Sequence, residues 1–426
     1  MKDPEQDRLI LRELAQRVAD IAALPIQEEK KRLWRKHNGL EGERPMVTFD
    51  QVCWNELIFD NSLSLLCADA ECRIYEDRLR KTLFQWEHFP ADMVVENFIN
   101  VATVIQDVPT TAHNIPGALF GMRIQETTLA TDRANDVVSH DYQNQFNSID
   151  DVTEKLRMPQ VRKDEAETQR RLDRARWLFD GILPVREEGW GYDPYLSCWD
   201  PISMWMGITG MLYGFIDNSE MMHALIARVV QGYMSMLDQL ESLNLLYRHP
   251  QSTIHTTGAW TNDLPAPDFE KRNPLTRDLW MYTMAQAFST VSPAMFEEYE
   301  INYLMPLFSR FGLIYYGCCD PLEDRMDKVF RIPHLRKISV SPWAKRESCA
   351  EQIGKRYVVS NKPNPAFIAD TSFDEDLVTK DLEQTREICK RFKCPLEYAF
   401  KDISTIKNDP QRLFREEKIA MRVATS

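Results

Sequence analysis

Two adjacent cysteines, Cys318 and Cys319, stand in a turn at the end of the apolar segment 312–317. A thiolate can act as a nucleophile or bind zinc, so a cysteine at the end of a buried strand could support either chemistry. Cys318 could instead be a small apolar filler of the core. An adjacent pair seldom forms a disulfide, because the required geometry is strained. We expect the working site around this turn, with Cys318 as its reactive group.

Carboxylate and imidazole side chains follow other predicted strands. Two of them also have a structural interpretation: His255 as a hydrogen-bonding group, and Asp402 as the partner of Lys401 or the cap of the next helix. The spacing is not that of a zinc finger, but Cys, His, Asp and Glu converging on one site could bind zinc. The predicted metal ligands are Cys318, His255, Asp402 and Glu56, and the predicted catalytic side chains are Tyr316, Asp402 and Glu56.

Aromatic and basic residues near the same strand ends predict a substrate pocket. Tryptophans would suit an aromatic substrate, whereas lysine and arginine would bind an anionic one. The Trp- and Met-rich segment 197–215 is more typical of core or pocket wall than of a cofactor site. The predicted substrate-binding residues are Trp54, Trp199, Trp343, Lys362 and Arg186.

Short apolar runs separated by helical stretches are typical of buried parallel strands. Helical patterns fill the gaps, as at 218–242 and 292–311. Eight strands alternating with helices predict an α/β fold, a (β/α)8 TIM barrel; a doubly wound open sheet is the alternative. The chain has no Gly-rich phosphate loop, which disfavours that alternative. The predicted strands are 46–49, 93–105, 181–186, 243–247, 312–317, 336–341, 356–360 and 396–402.

In a TIM barrel the active site lies at the carboxyl ends of the strands, so the residues behind each strand become site candidates. Residues 1–40 are predicted to form an N-terminal helical extension that ends at Asn38-Gly39, a good stop signal. Residues 41–426 are predicted to form the barrel. A polar insertion at about 106–175 is expected to leave it near the third strand.

The composition predicts a soluble cytoplasmic enzyme. The 426 residues are 43% hydrophobic and 27% charged, which suffices for a large core. A net charge of −13 argues against nucleic-acid binding, and no apolar run is long enough to cross a membrane. The N-terminus is too charged for a secretory signal peptide, and the nine cysteines of a cytosolic chain are expected to be mostly reduced.

Four segments carry a family resemblance. They are RPMV at 44–47, HFPADMVVENF at 88–98, WMGITGMLYGFIDNSEMMHALI at 205–226 and VSPAMFEEYEINYLMPLF at 291–308. In this order, and over about 28–420, the chain resembles the uroporphyrinogen-decarboxylase superfamily. That resemblance implies a TIM barrel and one of two chemistries. One is cofactor-free decarboxylation of uroporphyrinogen, and the other is zinc-dependent methyl transfer involving a corrinoid.

The chain departs from the true decarboxylases of that superfamily. Their Arg-rich loop after the first strand binds substrate carboxylates, whereas residues 49–54 of this chain contain no arginine and one carboxylate. The position of their catalytic aspartate aligns near Ile99 of this chain, where the aspartate is missing. We therefore expect no decarboxylation of uroporphyrinogen.

The zinc methyltransferases of the superfamily carry a His-x-Cys motif at a strand end and a further cysteine on the last strand. The first motif aligns with residues 316–318, where tyrosine replaces the histidine, and the last cysteine falls near Asp402. A subgroup known mainly from anaerobic bacteria is more similar still. Its hallmarks are YYGCCDPL at 315–322, RKISVSPW at 336–343, SNKPNP at 360–365 and KDISTIKNDPQRL at 401–413.

Three hypotheses follow. The first is corrinoid-linked methyl transfer from a methylated or methoxylated small molecule, with zinc as a Lewis acid and the corrinoid, a cobalamin-type cofactor, carried by a partner protein. The second is a metal-free decarboxylase or lyase acting on a small carboxylated substrate. The third is a non-catalytic binding protein that keeps the barrel. The sequence leaves open whether the chain forms a homodimer.

Overall fold

Eight parallel strands organise the computed structural model, which describes residues 4–108, 119–130 and 138–426. Six of them form one sheet in the order β1-β8-β7-β6-β5-β4, and β2 pairs separately with β3. Pairing of the first strand with the last is the closing contact of a TIM barrel. The strands are β1 (Met46–Phe49), β2 (Ile99–Ala102), β3 (Val185–Glu188), β4 (Trp280–Thr283), β5 (Leu313–Tyr316), β6 (Leu335–Val340), β7 (Val358–Asn361) and β8 (Leu396–Phe400).

Helices separate the consecutive strands, as parallel pairing requires of its crossovers. Two helices precede β1, and the second ends at Asn38 as predicted. A π-helical turn, Glu297–Ile301, interrupts the segment between β4 and β5. The helices are α1 (Pro4–Ala22), α2 (Pro25–Asn38), α3 (Ala70–His88), α4 (Ile149–Lys155), α5 (Glu165–Phe179), α6 (Trp199–Asp217), α7 (Ser219–Ser242), α8 (Pro293–Phe296), α9 (Asn302–Phe308), α10 (Met326–Val329), α11 (Arg346–Ile353), α12 (Ala366–Ala369), α13 (Glu375–Phe392) and α14 (Pro410–Thr425).

Seven of the eight predicted segments contain or overlap a strand, although β2 covers only Ile99–Ala102 of 93–105 and β3 is Val185–Glu188 instead of 181–186. The predicted strand 243–247 is wrong: α7 runs to Ser242, and only Leu246 forms a single bridge, to Trp190. The apolar side chains of 245–247 are buried, but Leu243 is exposed and Asn244 adopts a left-handed backbone that a strand does not allow. The strand β4 was not predicted, although all four of its residues are buried.

The predicted insertion lies between β2 and β3. Two antiparallel pairs stand there: Ile105–Gln106 with Arg162–Lys163, and Glu126–Ala130 with Val138–Tyr142. Residues 109–118 and 131–137 of the predicted insertion lie outside the described part of the chain. Within the described ranges, every helix is too short or too polar to cross a bilayer.

Side chains that face the interior show how strongly the sheet curls. Strands two places apart in a flat sheet are separated by roughly 10 Å. Yet Lys337 on β6 donates to Glu397 on β8 at 2.8 Å, and the Tyr315 hydroxyl on β5 lies 2.7 Å from that of Ser360 on β7. The six strands therefore form a curled, TIM-like sheet whose concave side carries polar groups.

The Lys337–Glu397 ion pair is fully buried and joins the N-terminal helices to the sheet. His37 at the end of α2 contacts the same Glu397 carboxylate at 3.1 Å, and the Lys337 ammonium also donates to Gly258 O at 3.1 Å. The Lys337 ammonium, first among the attractive contacts, and His37 hold the pKa of Glu397 well below its ordinary value despite burial. Glu397 therefore stays charged and needs both partners.

Replacing Lys337 tests this network. Lys337→Met strands a buried carboxylate and should lower the free energy of unfolding by about 3–5 kcal/mol. The double variant Lys337→Met/Glu397→Leu removes both charges and should lose less than the single one. The midpoint of guanidinium unfolding measures both. A single variant as stable as the unmodified chain would contradict the structural role of this pair.

Candidate functional site

The Cys318 thiol lies in the turn behind β5 and is only 2% exposed. Lys401 Nζ donates to its sulfur at 2.8 Å, and Cys319 Sγ lies 3.5 Å away. The hydrogen bond from Cys319, followed by contacts with His255 and Lys401, holds the pKa of Cys318 well below its ordinary value, although burial opposes this. The lowered pKa favours the thiolate form of Cys318, and the Lys401 ammonium lies where its counter-ion would be.

A glycine makes this turn possible. Gly317 has φ +92°, a conformation that side chains with a Cβ rarely adopt. A Cβ there would also lie 2.9 Å from Leu322 Cδ1. The chain thereby turns sharply behind β5, and the Cys318 backbone N–H points to the Asp320 carboxylate at 3.4 Å.

Lys401 and Asp402 bring the end of β8 to the same point. Lys401 is buried; the Cys318 thiolate outweighs that burial and raises the pKa of Lys401 to about 12. Asp402 is half-exposed and lies 3.4 Å from Lys401 Nζ, and its Oδ2 is 3.7 Å from Cys319 Sγ. A row of contacts therefore runs from the buried Lys401 through Cys318 and Cys319 to the half-exposed Asp402.

His255 lies in a tight turn beside Cys318. Its ring stacks on Tyr282 of β4, with ring centroids 3.7 Å apart, and its backbone N–H donates to Asp193 Oδ1 at 2.9 Å. Burial lowers the pKa of His255 to about 3, although the neighbouring thiolate of Cys318 favours the charged ring. Imidazole is thus neutral here. The backbones of His255 and Thr256 both have positive φ, a strained conformation that concentrates at functional sites.

A second lysine lies deeper in the interior. Lys362 Nζ donates to the Tyr315 hydroxyl and to Ser360 Oγ, the latter at 3.2 Å. Burial, reinforced by the Lys401 charge, lowers the pKa of Lys362 to about 8. Near neutral pH a fraction of this amine is therefore uncharged and could act as a nucleophile or a proton donor.

Two buried carboxylates lie near the Cys318 thiolate. Burial raises the pKa of Asp200 and of Asp320 to about 6 each, and the Cys318 charge adds to both shifts. Asp200 accepts a hydrogen bond from the Tyr195 hydroxyl. Oδ2 of Asp320 has no hydrogen-bond partner among the described residues. These carboxyl groups can exchange protons near neutral pH.

A cavity of about 380 Å³ opens on the other side of His255, behind β1, β2 and β3. Tyr195 also borders it and packs against the apolar cluster that contains Cys318 and Tyr282. Burial raises the pKa of Asp193 to about 6 and raises that of Glu188 as well. The charged and aromatic lining consists of Asp50, Glu188, Asp193, Trp190, Tyr192 and Tyr195.

Several predicted site residues converge on this region. Cys318 and Asp402 follow β5 and β8, and Lys401 Nζ contacts both of them. His255 lies in the loop before β4, and Lys362 follows β7 and contacts Tyr315. Trp343 stands behind β6 and is 67% exposed. The strand-end rule thus locates the reactive cluster.

Other predicted site residues lie apart from the thiolate. The Tyr316 hydroxyl donates to Glu300 at 3.0 Å, because neighbouring residues of a strand face opposite sides and Tyr315 takes the inner one. Glu56 accepts backbone N–H bonds from Ile406 and Asn408 at 2.8 and 2.9 Å, so it fixes the loop behind β8.

The remaining predicted substrate-binding residues pack elsewhere. Trp199 is fully buried against Phe288, with ring centroids 4.6 Å apart. Trp54 packs on Phe84 at 6.1 Å between centroids. The Arg186 guanidinium lies 3.8 Å above the ring centroid of Phe98.

Sequence reasoning missed the cavity residues Tyr192, Asp193 and Tyr195. They belong to the segment WGYDPY at 190–195, which follows β3 by only a few residues. The strand-end rule, extended along this loop, would have found them.

The described residues do not fit the predicted zinc site as they stand. No group of three or more His, Cys, Asp or Glu side chains within the described ranges is arranged to hold a metal ion. Zinc requires three or four such ligands. Here the Lys401 ammonium contacts the Cys318 sulfur directly, and Glu56 is engaged by the backbone of another loop.

The Lys401–Cys318 contact predicts a pH effect. Lys401→Met removes the counter-ion and should raise the pKa of Cys318 by about one unit or more. Alkylation of Cys318 by a small thiol reagent, followed by peptide mass spectrometry across a pH series, measures this pKa. Lys380→Met, which changes an exposed lysine on α13, is the matched control. An unchanged profile in Lys401→Met would contradict the ion pair.

Comparisons with known proteins support the fold. No model of a known protein family matches the chain, and no curated protein sequence matches it. Among solved structures the chain is similar to a methyltransferase from Methanosarcina mazei, with a TM-score of 0.50 and 10% identity. The match covers 93% of this chain and 99% of the other. At this identity the likeness shows a shared fold over nearly the whole length of both chains.

Proposed function

We propose that this chain is a methyltransferase that takes a methyl group from a small methylated molecule. The observation that carries the proposal is the buried Cys318 thiolate, paired with Lys401 at 2.8 Å and separated from a ligand-sized cavity by His255 and Tyr195. A desolvated thiolate is a strong nucleophile for an sp³ carbon. The name of the structurally similar protein from Methanosarcina mazei supports the same class of reaction.

In the proposed step, the bound donor displaces the His255 or Tyr195 side chain that stands between the cavity and Cys318, and the Cys318 sulfur attacks its methyl carbon. The sulfur's electron pair forms the S–CH3 bond, while the bond between the methyl carbon and the donor heteroatom breaks. Its electron pair stays on that heteroatom. Lys401 stabilises the thiolate before and after the transfer, and the apolar cluster around Tyr282 and Tyr315 excludes water from the sulfur.

We take the final acceptor to be a corrinoid carried by a partner protein; when bound, it would supply the nucleophile that accepts the methyl group, and Lys401 would again stabilise the sulfur as a thiolate. The family resemblance implies this acceptor. The exposed indole of Trp343 behind β6 offers an apolar contact for such a partner at the carboxyl end of the sheet.

Zinc at Cys318 stays a prediction, and elemental analysis of the purified protein tests it. Zinc in a one-to-one ratio that disappears in Cys318→Ser would show that Lys401 yields its place to the metal. A metal-free protein that still transfers methyl groups would leave the Lys401 ammonium as the counter-ion.

A decarboxylase or lyase is the second candidate, favoured by Lys362 with its pKa lowered to about 8. A partly neutral lysine can form a Schiff base with a carbonyl substrate. The carboxylates that line the cavity disfavour a carboxylated substrate, because like charges repel one another in a desolvated site. Borohydride trapping at Lys362, together with CO2 release, would favour this alternative over methyl transfer.

Cys318→Ser tests the proposed reaction. The variant should lose methyl transfer by roughly a thousandfold or more, since a serine hydroxyl stays protonated and is a poor nucleophile. A panel of N-methyl and O-methyl compounds with a labelled methyl group serves as donors. Peptide mass spectrometry should find the label on Cys318 when no acceptor is added.

The matched control is Cys394→Ser, which changes a cysteine at the opposite end of β8. It should transfer the label at the rate of the unmodified chain. Equal transfer by Cys318→Ser and the unmodified chain would contradict the proposal.

A further inference from the structure

We propose that the cavity beside His255 binds a methylated ammonium cation, so that the methyl donor is a quaternary or N-methyl amine. The donor role rests on the proposed methyl transfer, whereas binding of the cation does not. Three carboxylates line the cavity, from Asp50, Glu188 and Asp193. No lysine or arginine is among its described lining residues, and the His255 ring is neutral.

The aromatic lining fits the same ligand class. A quaternary ammonium has no N–H to donate, so proteins hold it on the faces of aromatic rings with carboxylates nearby. Trp190, Tyr192 and Tyr195 supply such rings along one loop. Tyr192 is anchored by a hydrogen bond to Ser252 at 3.0 Å, and Tyr195 is stacked on Tyr282, so these two rings are held in place.

The hydroxyl of Thr256 indicates which other polar group the ligand carries. The Thr256 side chain lines the cavity and is only 9% exposed, yet its hydroxyl has no hydrogen-bond partner among the described residues. A buried hydroxyl is expected to find a partner. A hydroxyl or carbonyl oxygen on the ligand would satisfy it, which favours a cation with a short polar tail over a simple tetraalkylammonium.

The surrounding charges favour a cation over other methylated compounds. The nearest buried lysines, Lys401 and Lys362, are engaged by Cys318 and by Tyr315. Arg78 lines the neighbouring cavity of about 250 Å³, which shares Asp50, Tyr192, Thr253 and Thr256 with this one, and its charge opposes the effect of burial on the pKa of Glu188. An anionic methoxy compound would face three carboxylates, and like charges repel one another in a desolvated site.

The reaction chemistry is consistent with such a donor. When the Cys318 thiolate attacks the methyl carbon of an ammonium, the N–CH3 bond breaks and its electron pair stays on nitrogen. The amine leaves as a neutral molecule, so no proton has to be supplied. A cation and a thiolate become a neutral amine and a neutral thioether, and a low-dielectric site with little water favours this loss of charge.

Calorimetric titration of the full chain tests the inference without any acceptor. Choline should bind at least about tenfold more tightly than its neutral isostere, in which carbon replaces the nitrogen, because only the cation gains the ring and carboxylate contacts. Glu188→Gln should weaken choline binding several-fold and leave the isostere unaffected. Glu165→Gln, at an exposed carboxylate on α5, is the matched control and should change neither.

The comparison of the two ligands on the unmodified chain holds even where a variant fails to fold. Equal affinity for choline and its isostere, or no binding of either, would overturn the assignment of the cavity. Choline that binds but never transfers its methyl group to Cys318 would refute the proposed donor and leave the cation site standing. Transfer from a methoxy compound, with no binding of choline, would refute the cation site and leave methyl transfer standing.

Discussion

A single ion pair, between the Cys318 thiolate and the Lys401 ammonium, sets the demands on the rest of the structure. Cys318 follows β5 and Lys401 follows β8, and two further strands lie between them in the sheet. In a flat sheet these strand ends would be roughly 14 Å apart. The sheet must therefore curl for the two atoms to approach within 2.8 Å. The site exists because the six-stranded sheet curls.

Inside the curled sheet, the ion pair that stabilises the fold and the lysine that contacts Cys318 lie at different levels along the strands. Toward the amino ends of the strands, Lys337 and Glu397 neutralise each other and hold α2 in place. One level higher, Lys362 rests on Tyr315 without a carboxylate contact, and at the carboxyl ends Lys401 faces a thiolate. The cavity beside His255 then carries carboxylates on its wall. Lys401 thus places a positive charge beside the Cys318 sulfur, whereas no lysine or arginine is among the described lining residues of the cavity.

The sequence predicts where Cys318 and Asp402 lie in the fold better than it predicts which side chains contact them. Cys318 and Asp402 follow from the rule that strand ends carry the site, since they come directly behind buried apolar runs. Tyr316 does not join them, because a strand alternates faces and Tyr315 points inward instead. The ion pair with Lys401 and the cavity loop around Asp193 depend on contacts between segments far apart in the chain, which local patterns do not encode. The predicted zinc ligands come from separate strands in the same way, and no group of three or more His, Cys, Asp or Glu side chains is arranged for a metal within the described ranges.

The ultraviolet absorbance of thiolate, taken as the difference between the unmodified chain and Cys318→Ser across a pH series, tests the central claim most directly. The structure predicts a difference equal to one thiolate that persists well below the pH at which an ordinary cysteine titrates, because Cys319, His255 and Lys401 stabilise the charge. A difference that appears only as the pH rises through about 8.5, the value of an ordinary cysteine, would contradict the account.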